Sequence, residues 1–435
     1  MKLRKNTLFP IRFEYLEALL NFDIQQSQID SVFENLEGIR QSVLSSMTKS
    51  DDTPEFAFVG FPERSLHEYA QSRTNSQLGK VFKRANRWHS LVDRVVILGC
   101  GSACTGAKAI VDSCCQPYWN ELSRAERGCK PRVYFEGDCF DNDSLQGLLH
   151  LLEVHKGQVV KDELDRWALL MAAPNNTHQQ IAKTNAAFFH LSKALANSVA
   201  DDQHSIAALH AIVSGNNQSQ QDDNFVSLGG DSFTVPDNLQ GPFSLFSPIG
   251  LLPAALVGIN VMELLAGATH MTQHFRTFAA NENLVLQLVA FNQLLRQQKG
   301  AQGLSVRLWS KSLLSFGKWY EQFSAEIAKE TNTMQKESSL HRSELHSVAH
   351  SQATADPMDA IVNIYTEQWR FDTLAFHATS TPSRSYTQAM LEALASENGR
   401  GSAANLVLSK IDELHMGQLF QLWMLASMLE SQWST

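Results

Sequence analysis

The sequence predicts an α/β protein: two doubly wound domains, each a parallel sheet flanked by helices, behind a helical N-terminal region. Three observations carry this. From Asp93 onward, short apolar runs alternate with helix-length stretches: Val95–Leu98, Arg132–Phe135, Trp167–Met171 and Leu209–Val213. Such repeated crossovers imply a parallel sheet covered on both faces. A second set of runs, Leu304–Leu308, Ile361–Tyr365 and Leu406–Leu408, follows a long apolar segment. Before both sets, Ile29, Val32, Phe33, Leu36, Val43 and Met47 recur at helical spacing. The expected partition is a helical region over 1–90, a first α/β domain over 91–240 and a second over 241–435.

The chain of 435 residues is 43% hydrophobic and 19% charged, the balance of a soluble globular protein with ample core. A net charge of −9 without a long basic cluster argues against a nucleic-acid partner. The N-terminus begins basic but has no uninterrupted apolar run, so neither a signal peptide nor a membrane anchor is expected. All six cysteines lie between Cys100 and Cys139, as CxxxC and adjacent pairs. That spacing suits neither zinc nor a disulfide framework. They read as small packing residues of a cytoplasmic, reducing compartment, with no metal.

Taken in order, residues 1–90 are helical with a break at Lys49–Pro54. Phe56–Pro62 reads as extended and turn-bounded, and a helix is expected over Leu66–Arg87. Next, Arg94–Ala109 joins a buried strand to a helix through Gly99-Cys100-Gly101-Ser102. Amide groups at such a helix start, with the dipole behind them, suit an anion. A dinucleotide is disfavoured, because Gly99, Gly101 and Gly106 give GxGxxxxG and Glu136 arrives too late to serve the ribose. Ser214–Asp223 is a polar surface loop. Gly241–Pro253 leads into an apolar helix through Leu265, too short to span a membrane.

The predicted helix Ser312–Lys329 lines up Leu313, Phe316, Tyr320, Phe323 and Ile327. Glu326 follows Trp319 by seven residues and shares its face. A carboxylate beside an aromatic on a half-buried face suits proton transfer; a solvated helix glutamate fits the same spacing. His346, near His341 and His350, has no carboxylate or cysteine to complete a metal set, and a packing or surface histidine fits equally.

Together these segments resemble phosphoglucose isomerase, a family built of two sugar-isomerase (SIS) domains. Val95–Ala109 resembles its VVIGIGGSYLGAKA stretch, Pro248–Pro253 its AVGLLP, and Leu314–Thr331 its helix with the proton-transfer glutamate. Ser343–Val348 resembles its STDLHSL, and Asn405–Leu408 with Leu414–Leu419 its late strand and following helix. The resemblance implies that Glu326 moves a proton between C1 and C2 of an open-chain sugar phosphate, and that His346 helps open the ring. It implies phosphate binding by Gly101, Ser102, Asn175, Asn176 and Thr177, no cofactor, and a homodimer. Departures are concentrated in the charged groups. The phosphate loop SKSGTTTEP falls on Ala172–Gln179, keeping only the Thr177 hydroxyl. The arginine of GGRYS falls on Pro242, and the segment bearing a catalytic lysine is not matched before Thr435. Lys318, Lys329 and Arg342 are the nearby cations in sequence. The expected function is interconversion of glucose 6-phosphate and fructose 6-phosphate. A catalytically impaired sugar-phosphate binder is the alternative, and a nicotinamide oxidoreductase ranks third.

Overall fold

The computed structural model of the chain describes residues 11–49, 56–153, 166–173, 178–198, 203–215, 230–239, 241–301, 303–330, 341–345, 360–376, 384–398 and 403–433. The strands among them are β1 (Ile11–Glu14), β2 (Arg94–Gly99), β3 (Arg132–Glu136), β4 (Trp167–Ala173), β5 (His210–Gly215), β6 (Asp231–Val235), β7 (Leu304–Leu308), β8 (His341–Leu345), β9 (Ala360–Gln368), β10 (Ala375–Phe376), β11 (Arg384–Ser385) and β12 (Ala403–Lys410). The chain forms two compact units. One is Asp51–Leu265, the other Met1–Ser50 together with Ala266–Thr435.

The Asp51–Leu265 unit holds a five-stranded parallel sheet in the order β3-β2-β4-β5-β6. Its centre is apolar on both faces. Val95, Val96, Ile97 and Leu98 of β2 and Ala168, Leu169, Leu170 and Met171 of β4 are all buried. Such unbroken apolar runs are what a doubly covered parallel sheet demands. The first strand in chain order is flanked by the second and third, so the winding reverses between β2 and β4. The helix Ser102–Cys114 follows β2, and the helix Pro248–Leu256 packs against it.

The other unit repeats this plan in the order β1-β12-β9-β7-β8. β7, β8, β9 and β12 run parallel; β1 adds antiparallel at the edge, pairing Ile11 with Leu408 and Glu14 with Asn405. Phe13 meets Phe291 edge-on at 5.8 Å, and Trp319 and Tyr320 meet Phe420 and Trp423 at 4.6 and 4.7 Å. These contacts seat the helices Leu284–Lys299, Leu314–Glu330 and Glu413–Trp433. The helix Tyr386–Asn398 brings Leu394 against Tyr365 and Val407.

The second of these units is assembled from two separate stretches of chain, so the limits differ from the three-part partition at 90 and 240. The helix Gln26–Lys49 packs on Leu284–Lys299 rather than standing in a separate helical region. Buried Arg40 fastens it, donating to the carbonyls of Phe275 at 3.2 Å and Phe278 at 2.7 Å.

Phe56–Pro62 is not extended: the helix Ala57–Ser72 contains Pro62. Ala57, Phe58, Val59, Gly60 and Pro62 are buried, and Phe58 stacks on Phe243 at 4.4 Å. Tertiary burial there outweighs the loss of one amide hydrogen bond. The expected helix Leu66–Arg87 breaks at Arg73–Asn75 and restarts as Gln77–Leu91. Arg73 is left-handed (φ +44°), and the Ser76 hydroxyl caps the new helix by accepting from the Gly79 amide at 3.0 Å. The apolar helix through Leu265 is two helices, Pro248–Leu256 and Val261–Thr277, parted at Gly258 with φ +81°. Most of the loop Ser214–Asp223 lies outside the described residues. Cys100, Cys104 and Cys115 are buried and Cys114 half-buried, but Cys129 and Cys139 are exposed rather than packed. No helix among the described residues is long and apolar enough to cross a membrane.

Candidate functional site

The glycine turn lies at the carboxyl end of β2, where the winding of the sheet reverses. In doubly wound sheets, ligands bind at such a point. A Cβ on Gly99 would stand 2.6 Å from both the Ala172 carbonyl and the Cys104 Sγ, so strand, neighbouring strand and helix converge only on glycine. Gly101, at φ +89°, caps the helix Ser102–Cys114. Its carbonyl accepts from the amides of Cys104 and Thr105, both at 3.1 Å, and from the Thr105 hydroxyl at 3.2 Å. Ser102 sits fully buried in the first turn. The helix therefore aims its positive end at the mouth of the turn.

Gly99 is paired with Ala172 of β4. The chain leaves β4 directly into 174–177, which carries Asn175, Asn176 and Thr177. These three lie outside the described residues.

Glu136 ends the adjacent strand β3. Burial raises its pKa, partly countered by the Gly137 amide at 3.2 Å and the Ser144 hydroxyl at 3.4 Å, both donating to the carboxylate. Both of its oxygens face their own loop. Behind the turn, Pro242 is buried in the short helix Gly241–Phe246, which packs on Ser102–Cys114. An uncharged ring stands where the resemblance expects an arginine.

In the other unit, Glu326 sits half-buried on the helix Leu314–Glu330. Gln322 Nε2 donates to its Oε1 at 3.2 Å. Trp319, two turns earlier, is fully buried, stacks on Phe323 at 4.8 Å and touches Phe316 at 5.3 Å. Glu321 pins the helix to β8: its Oε1 accepts from the Ser343 amide at 2.6 Å and the Ser343 hydroxyl at 2.9 Å. At Gly317 a Cβ would lie 2.6 Å from Ser343 Oγ and 2.7 Å from Leu308 Cδ1, so the helix lies close on the sheet. The helix carrying Glu326 is thus locked in register with the strand that leads in sequence to His346. His346 itself is outside the described residues. Neither Glu321 nor the strand holding Ser343 is visible in the sequence pattern, since the pairing joins residues far apart in the chain.

The family described as phosphoglucose isomerase matches the chain over residues 154–364, which include Glu326 and His346. The glucose-6-phosphate isomerase of Streptococcus thermophilus is 24% identical over 360 residues, covering 81% of this chain and 73% of that protein. That of Listeria monocytogenes is 22% identical over 343 residues, covering 78% and 69%. Among solved structures, a hypothetical protein of Thermus thermophilus matches with a TM-score of 0.74 at 18% identity, covering 97% of this chain and 94% of that one. A glucose-6-phosphate isomerase of Chlamydia trachomatis matches with a TM-score of 0.62 at 16% identity, covering 81% and 68%. The structural matches establish the shared SIS-type fold. The family model and the sequence matches make the chain similar to the phosphoglucose isomerases, a family of sugar-phosphate isomerases.

Proposed function

We propose that the protein interconverts glucose 6-phosphate and fructose 6-phosphate through a cis-enediol. The observation that carries this is Glu326: a half-buried carboxylate on a helix fixed to β8 by Glu321 and Ser343, in the segment that resembles the family's helix with the proton-transfer glutamate. In the open-chain aldose, Glu326 takes the C2 proton and returns it to C1 while a proton shifts between the two oxygens. His346 serves ring opening by delivering a proton to the ring oxygen as the bond to the anomeric carbon breaks and the anomeric hydroxyl gives up its own proton. The glycine turn with Gly101 and Ser102, and the segment with Asn175, Asn176 and Thr177, bind the phosphate. The steps are proton transfers only, so no redox group enters the balance. A homodimer is part of this proposal.

The test supplies fructose 6-phosphate and follows glucose 6-phosphate with a coupled dehydrogenase. Turnover is expected, and Glu326→Gln is expected to lower kcat at least about 100-fold, as loss of a general base does. An unchanged rate in that variant rejects Glu326 as the base.

Pro242 favours a second reading. An enediolate gains a few kcal/mol from a positioned charge, and this buried ring supplies none. A protein that binds sugar phosphate without turnover then gives a thermal shift with fructose 6-phosphate and no rate above background.

A further inference from the structure

At the carboxyl end of β12, three side chains form a continuous hydrogen-bonded chain. Asp412 Oδ1 lies 2.5 Å from His415 Nδ1, and His415 Nε2 lies 2.5 Å from Ser409 Oγ. The carboxylate only accepts, so neutral His415 carries its proton on Nδ1. Nε2 is then the acceptor, and the Ser409 hydroxyl donates to it. Burial disfavours the Asp412 charge, but hydrogen bonds from His415 and from Lys410, at 2.7 Å, outweigh it and hold the carboxyl well below the ordinary range. The imidazole is 2% exposed, whereas Ser409 is only partly covered. The hydroxyl is therefore the outlet of the chain.

Helix capping explains one piece of this. Asp412 Oδ1 accepts from the His415 backbone amide at 3.0 Å at the start of Glu413–Trp433. That bond needs neither the imidazole nor Ser409. The remaining two contacts have the roles of nucleophile, base and orienting acid, placed at the positive end of a 21-residue helix, where an anionic intermediate is favoured.

We infer that Ser409 is an activated nucleophile that accepts acyl groups from small carboxylic esters. Ser409 Oγ bonds to the ester carbonyl carbon as its proton passes to His415 Nε2, giving a tetrahedral oxyanion. Collapse breaks the bond to the leaving oxygen, which takes the proton from Nε2. Water, deprotonated by the same nitrogen, then cleaves the acyl-serine and restores the hydroxyl. Asp412 is a positioning residue that fixes the tautomer.

The test treats the full-length protein with a fluorophosphonate probe and maps the adduct by mass spectrometry. Parallel samples hydrolyse p-nitrophenyl acetate. The expected result is an adduct on Ser409, absent in Ser409→Ala and slowed at least about 100-fold in His415→Ala, which keeps the capping amide. Restoration of the His415→Ala rate by added imidazole marks proton transfer rather than structure. Ser431→Ala, which removes a hydroxyl that donates to the Met428 carbonyl at 2.7 Å, is expected to label normally. No adduct on Ser409 in the wild-type protein overturns the inference, as does labelling at the wild-type rate in a folded His415→Ala variant. Both outcomes are independent of the sugar-phosphate assay.

Discussion

At Asp93 a single carboxylate faces three guanidinium groups, those of Arg124 at 3.0 Å, Arg127 and Arg132. Arg127 is buried, and its remaining donors go to the Leu122 and Lys130 carbonyls. Burial and the neighbouring arginines lower its pKa, and Asp93 opposes them. Asp93→Asn leaves these cations without their counter-charge. We expect a loss of about 3 kcal/mol in urea unfolding, the scale for breaking a buried pair from one side. His274 gives a pH dependence. Burial pushes its pKa down from 6.5 to about 4, and its Nε2 accepts from the Leu284 amide at 3.0 Å. Between those values the unfolded chain binds the proton and the folded chain does not, so stability rises with pH across this window. This contribution is complete above 6.5 and lost as pH falls toward 4, by about 3 kcal/mol. His274→Gln is expected to flatten that stretch of the stability curve.

Among the elements, the helix Leu314–Glu330 lies close on its sheet at Gly317. Gly317→Ala drives a methyl into Ser343 and Leu308. Overpacking of this kind costs roughly 1–3 kcal/mol, and a lowered midpoint in urea unfolding checks it. In the assay, the same variant is expected to reduce kcat along with stability, because it shifts the helix that carries Glu326. Strands β2, β4, β9 and β12 were legible in the sequence because a doubly covered strand is apolar along most of its length, and β3, β5 and β7 were read from shorter apolar runs. Strands β1, β6 and β8 were not. Each is an edge strand, and what makes it a strand is a partner far along the chain: Ile11 needs Leu408, Ala211 needs Asp231, Leu304 needs His341. The same limit applies at the sites. The glycine turn is local and could be read directly. Glu321 with Ser343, and Ser409 with His415, depend on how strand and helix are juxtaposed. Phe56–Pro62 misled because proline marks a break only when burial does not override it.

On the scale of the whole molecule, each unit carries a sheet whose first parallel strand in chain order is flanked by the second and third, with helices around it. Their assembly from the chain is unequal. Residues 51–265 are continuous, and this fragment is expected to unfold as one cooperative transition on its own. Residues 266–435 lack β1 and the helix Gln26–Lys49, leaving one edge of β12 and part of Leu284–Lys299 uncovered. We expect that fragment to aggregate unless the 1–50 peptide is added in trans, with light scattering as the check. The antiparallel edge strand therefore has a consequence for biosynthesis. β1 leaves the ribosome first, yet its partner β12 lies about 390 residues downstream, a delay of roughly 20–80 s at ordinary elongation rates. During that interval the continuous unit is free to complete itself, while the opening segment needs shielding by a chaperone or by its own helix until the last strand arrives.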